Sequence, residues 1–171
     1  MFHVPAAERN KEPILQVLQK YIPKGFKGRA LEIASGAGPH VVHFAQYYKE
    51  ISWQPTEYDI KSMGSISAYI AHAGVKNVHQ PLHIDITTPP EEMKIDTVSR
   101  GNVDIMTNIN MIHISPWATA IVSNYAFRMK ICRKKNISRK ICVKTPCKQT
   151  NNKTYIKKFV RSLSLIINLL D

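Results

Sequence analysis

The stretch 30–40, ALEIASGAGPH, constrains the fold more than any other part of the chain. Leu31 and Ile33 read as the apolar core of a short buried strand. Gly36 and Gly38 follow at once. Glycine tolerates φ > 0 and has no Cβ, so a ligand can approach the backbone there. Pro39 suits the first turn of a helix, where its missing N–H costs nothing. The amides at that helix start are free to meet a polar or anionic group. Strand, glycine turn and helix in this order describe a ligand crevice at the carboxyl ends of the strands of an open α/β sheet.

The surrounding chain repeats the alternation. The sequence predicts a polar lead-in over 1–10, then a helix from about Glu12, with Asn10 as cap and Pro13 in its first turn. Ile14, Leu18 and Tyr21 recur at helical spacing on its core face. Strand one is expected over 29–34, followed by a helix over 40–49. Strand two is expected over 51–57, where Pro55 argues for an edge position or an early end. A helix over 62–73 stops at Gly74. Strand three covers 78–84, with Asp85 at its end. The TTPPEE loop leads into a short helical piece near Glu91, and strand four covers 103–108. Such spacing implies parallel pairing and right-handed crossovers, the first half of a doubly wound α/β domain.

Composition then divides the chain. Of 171 residues, 24 are Lys or Arg and 12 are Asp or Glu, a net charge of +12. Residues 1–120 are balanced, and residues 121–171 carry the whole excess, with Asp171 as their single acid. All three cysteines (Cys132, Cys142, Cys147) fall in that second part, and no glycine follows Gly101. The expected organisation is therefore a Rossmann-like domain over 1–120 and a basic, poorly ordered tail over 121–171. The odd cysteine count and the absence of a secretory pattern in MFHVPAAERNKEP imply reduced thiols in an intracellular (cytoplasmic or nuclear) setting. No run reaches the ~18 apolar residues of a membrane span.

ASGAG admits three readings: a dinucleotide site, an S-adenosylmethionine site, or a plain strand-to-helix turn. Val41 stands where a dinucleotide fingerprint puts its third glycine or alanine, which disfavours the first. A nucleoside ligand needs an acid after strand two to accept from both ribose hydroxyls, and both Glu57 and Asp59 lie there. Asp85 is placed to meet an adenine ring. Asn108, Asn110 and His113 close strand four in NINMIHISPW. The amides can orient a substrate, and His113 can act as general base or simply bond a backbone carbonyl. Trp117 reads as core. His40 and His43, three apart with no matching acid or thiol, read as surface histidines rather than metal ligands, and the tail cysteines have no zinc spacing.

Four motifs in this order, AERNKEPIL, ALEIASGAGPH, WQPTEYD and NMIHISPW, resemble the methyltransferase-like protein 26 family of class I S-adenosylmethionine-dependent methyltransferases. They cover about residues 6–119. The resemblance implies S-adenosylmethionine as cofactor and a sheet of seven strands, here with only strands one to four. It implies cofactor contacts from Glu32, Ala34, Ser35, Gly36, Gly38, Glu57 or Asp59, Asp85 and Asn108. Arg9 and Asn10 match an N-terminal RN that folds over the substrate side, and Asn110 and His113 are the implied catalytic pair, with no metal. The methyl acceptor is not implied. The chain departs from the family after about Ala120. A transcript read through to a chance stop codon would produce such a break, and finding residues 121–171 encoded as an ordinary in-frame exon would sink that origin. A truncated sheet leaves VDIMTNI as an exposed edge and implies weak or absent catalysis. The rival reading is a non-catalytic binding protein whose basic tail makes nonspecific contacts with nucleic acid or anionic surfaces.

Overall fold

A computed structural model of the chain describes residues 1–88 and 103–111. The expected helical piece near Glu91, His113, Trp117 and the whole of 121–171 lie outside those residues.

Helix α1, Pro5–Tyr21, opens the molecule. It starts well before the expected Glu12, so 5–10 form its first turns rather than a polar lead-in, and Asn10 is not its cap. The local cause is plain. Pro5 takes the first turn, and Ala6, Ala7, Glu8 and Arg9 are good helix formers. Lys11 pairs with Glu8 one turn back. Pro13 therefore sits inside the helix, where it has no N–H to give the Arg9 carbonyl. Ile14, Leu15 and Leu18 are buried and hold the second half against the core.

Strand β1 (Gly28–Ile33), α2 (Pro39–Tyr47), β2 (Ile51–Glu57), α3 (Ile60–Ala73), β3 (Leu82–His83) and β4 (Ile105–Asn108) follow. The four strands form one parallel sheet in the order β3-β2-β1-β4. The chain steps outward from β1 to β3 and then returns to the far side of β1. That reversal beside β1 is the switch point at which open α/β sheets place their ligand crevice. Among the described residues β4 is the last strand on its side.

β1 is buried on both faces. Ala30 and Ile105 join α1, α2 and α3 in a core around Phe44, Trp53 and Ile66. Leu31, Ile33, Val103 and Met106 form a second cluster on the opposite face, as the two-residue period of a strand requires. Phe44 and Trp53 meet with ring centroids 5.9 Å apart. Asn77 fastens this layer from outside, its Nδ2 donating to the carbonyls of Ala45, Tyr48 and Ile51.

β2 is an internal strand, not an edge, despite Pro55. The ladder to β3 is interrupted at this point. Trp53 pairs with Val78 in an isolated bridge, and regular pairing resumes only at Thr56–Leu82. Pro55 and Pro81 face this gap without N–H groups. Gln54 Nε2 fills it, donating to Pro55 O at 2.9 Å and to Gln80 O at 2.8 Å. A side-chain amide thus replaces the missing backbone donors, and β3 shrinks to two residues. The expected strand over 78–84 is shortened for the same reason. Gly74 ends α3 in the left-handed conformation at φ 63°, as expected.

Candidate functional site

The turn between β1 and α2 takes three left-handed residues to reverse direction: Ala34 at φ 53°, Gly36 at φ 58° and Gly38 at φ 100°. A Cβ on Gly38 would lie 2.9 Å from Ile66 Cα, so glycine lets α2 pack against α3. A Cβ on Gly36 would meet nothing within 4 Å, so glycine there keeps an open face above the backbone. The turn is pinned from below. Ser35 N donates to Thr56 O at 2.9 Å, Gly38 N to Ser35 O at 3.1 Å, and Thr56 Oγ1 to Glu32 O at 2.8 Å.

Glu57 ends β2 facing this turn. Its Oε2 accepts from Gly36 N at 2.7 Å, and its Oε1 accepts from Tyr58 N at 2.8 Å and Asp59 N at 3.0 Å. Asp59 is used differently. It caps α3, accepting from Lys61 N and Ser62 Oγ. Those hydrogen bonds, the Ser62 hydroxyl first, hold its carboxyl below the ordinary value. Of the two acids the sequence left open, the structure therefore brings Glu57 to the turn. Asp85 lies two residues past β3 and closes a tight turn by accepting from Thr87 Oγ1 and Thr87 N, which lowers its pKa.

Asn108 closes β4 in register with Ile33. It is buried, with Nδ2 3.6 Å from Met111 Sδ. Asn110 follows in the left-handed region at φ 62°, which asparagine tolerates better than most residues. Of the sequence-selected residues, Glu32, Ala34, Ser35, Gly36, Gly38, Glu57 and Asn108 converge on the ends of β1, β2 and β4. Arg9 is exposed on α1, and Asn10 Oδ1 meets His40 Nε2 at 2.7 Å.

His40 is a correction. It is buried in the first turn of α2 rather than on the surface. Burial, reinforced by the charge of His43, pushes its pKa down to about 4, so it is neutral at physiological pH. His43 reaches Glu12 Oε2 at 3.0 Å. Among the described residues no three His, Cys, Asp or Glu side chains are grouped to hold a metal ion.

Glu32 is the most unusual group of the site. It is 1% exposed, and among the described residues no side chain, the nearby Ser35 hydroxyl included, closes a well-formed hydrogen bond to either carboxyl oxygen. Among the described residues, the buried hydroxyls of Thr107, its register partner on β4, and of Ser35 in the turn likewise close no hydrogen bond. Desolvation, partly offset by the nearby Ser35 hydroxyl and reinforced by Glu57, pushes the Glu32 pKa up to about 8. Sequence reasoning missed Thr107, although the alternation in VDIMTNI puts it beside Glu32. It also missed Tyr58, which is 65% exposed next to Glu57 and stacks on His83 with centroids 5.9 Å apart.

The model of a family described as "Protein of unknown function (DUF938)" matches residues 1–148, running past Ala120. Solved structures share the fold. A protein assigned as an S-adenosyl-L-methionine-dependent methyltransferase from Methanococcus maripaludis is 14% identical, with a TM-score of 0.61, over 91% of this chain and 67% of that one. The YcgJ protein of Bacillus subtilis is 17% identical, with a TM-score of 0.61, over 90% and 58%. TYW2 of M. jannaschii, solved in complex with AdoMet, is 11% identical, with a TM-score of 0.60, over 97% and 65%. The fold is thus the Rossmann-like α/β architecture that these structures share, and the chain spans about two thirds or less of their lengths. No helix among the described residues is long and apolar enough to cross a membrane.

Proposed function

The chain belongs to the family described as protein of unknown function (DUF938), and from that premise we propose that it is an S-adenosylmethionine-dependent methyltransferase-like protein of the methyltransferase-like protein 26 type. One observation carries this reading. The open glycine turn, the Glu57 carboxylate bonded to it and the unpartnered oxygens of Glu32, Ser35 and Thr107 converge at the switch point of a methyltransferase-type sheet. The residues present fit the cofactor, because buried polar atoms without partners are costly until a ligand or water satisfies them.

In this reading Ala34, Ser35, Gly36 and Gly38 hold the methionine side and Glu32 offers it a buried carboxyl. Glu57 rather than Asp59 accepts from the ribose hydroxyls. Asp85 and the exposed Tyr58 ring flank the adenine, and Asn108 orients the ligand from β4. Bound there, S-adenosylmethionine supplies a methyl group already activated by its sulfonium charge. The protein's part is to hold an acceptor in line with it, which is catalysis by proximity. Asn110 would orient that acceptor, His113 would take its proton, and Arg9 and Asn10 would cover the substrate side. The division into a domain over 1–120 and a basic tail over 121–171, the truncated sheet, the weakened catalysis and the intracellular setting belong to the same proposal.

Calorimetric titration of the full chain with S-adenosylmethionine, NAD and a generic oligonucleotide tests it. Saturable heat with S-adenosylmethionine and none with NAD is the expected result. The excess of +12 charges in residues 121–171 favours the second reading. Salt-sensitive oligonucleotide binding with no cofactor heat would replace the methyl-donor reading with a non-catalytic binding protein.

A further inference from the structure

The two halves of α1 are attached to the molecule in different ways. In residues 1–12 only Ala7 is buried, whereas Ile14, Leu15 and Leu18 lie in the core. What holds the first half is a row of single polar contacts to α2 and α3. Phe2 N donates to Ser65 Oγ at 2.7 Å, and Tyr69 Oη donates to Phe2 O at 3.2 Å. Asn10 meets His40, and Glu12 meets His43. Ser65 is the relay, because its hydroxyl donates in turn to Ala37 O at 3.0 Å, between the two glycines of the turn. Both ends of the segment thus bear on residues adjoining the ligand crevice.

Between the halves stands Pro13. A helix resists fraying because each rung supports the next, and proline removes the rung to residue 9. We propose that residues 2–12 are a strap hinged at Pro13, which opens to admit the crevice ligand and closes on it through Ser65 and His40. The hinge follows from α1 alone. The coupling to a ligand rests on the methyl-donor reading. Opening breaks a few isolated polar contacts and draws out only one buried side chain of the segment, Ala7, as expected of an element that moves independently of the global fold.

Amide hydrogen exchange on the full chain tests the strap, read residue by residue in wild type, Pro13→Ala and Ser65→Ala. Without ligand, amides of residues 9–12 exchange at least about tenfold faster than those of 17–20, whose hydrogen bonds run to carbonyls outside the strap, as separate local openings do. Pro13→Ala restores the rung and brings the two sets together. Ser65→Ala speeds 9–12 and leaves 17–20 unchanged. S-adenosylhomocysteine slows 9–12 in wild type and much less in Ser65→Ala. Joint exchange of the two sets in wild type, or sets that stay apart in Pro13→Ala, overturns the hinge. Calorimetric binding of S-adenosylhomocysteine with no change at 9–12 overturns the coupling. Absence of binding defeats the methyl-donor reading instead, while the two variants still decide the hinge.

Discussion

Glu32→Gln should change how stability depends on pH. Glu32 is fully buried, and its carboxyl pKa rises from an ordinary 4.5 to about 8 in the folded chain, chiefly through desolvation. Between those values the folded state holds a proton that the unfolded state has released. Stability contributed by the neutral carboxyl is therefore complete below about 4.5 and is lost as pH rises toward 8. At 1.36 kcal/mol per unit, that interval amounts to a ceiling on the order of 4–5 kcal/mol. Glutamine keeps the shape and cannot ionise, so the variant lacks this loss. Its own amide adds an offset that does not vary with pH, so the difference between the two pH profiles is the quantity to read, not either value alone. Urea unfolding at a series of pH values, followed by tryptophan fluorescence, measures it. Relative to wild type, the variant should gain stability steadily across the window and level off above it. Parallel profiles from pH 4.5 to 8 would refute the buried, proton-holding carboxyl. If S-adenosylhomocysteine brings a cationic group to Glu32, its presence should flatten the wild-type slope and leave the variant unchanged.

Four further outcomes follow from the structure. His40 titrates from 6.5 down to about 4 in the fold, so stability is full above pH 6.5 and falls as pH drops toward 4. His40→Gln should remove that loss, with a ceiling of about 3 kcal/mol in the same urea series. Gly38→Ala, at φ 100° and with a Cβ 2.9 Å from Ile66 Cα, should lower unfolding stability by about 1–3 kcal/mol. Gly36→Ala has open space around it, so it should cost only about 1 kcal/mol while weakening S-adenosylhomocysteine binding in calorimetry, because the added methyl group occupies the open face. Asn77→Ala strips a donor from three carbonyls and should cost about 2–3 kcal/mol, read as a lower thermal midpoint.

The elements that local periodicity specifies were legible. Strand β2 and the end of α3 fall where the sequence puts them, because Ile51, Trp53 and Thr56 favour an extended, buried segment and Gly74 fits the left-handed stop. The errors cluster at prolines. In isolation Pro13 reads as part of a helix's first turn and Pro55 as a mark of an edge position or an early end, since each lacks a donor that regular structure needs. The structure answers both by means that sequence rules do not carry. Packing of Ile14, Leu15 and Leu18 holds the helix through Pro13, and Gln54 supplies the missing donor at Pro55. The site was legible as a list of residues but not as a division of labour. Spacing could not separate Glu57 from Asp59, because both follow β2. Only three-dimensional placement shows one bonded to Gly36 and the other committed to capping α3. Glu32 marks the limit most clearly. An acid inside an apolar strand looks, in sequence, like a residue on a solvated face. It is buried because β1 pairs with strands on both sides and is covered on both faces. The protonation state of the site thus follows from the central position of β1, a property of the whole sheet rather than of the motif that carries the acid.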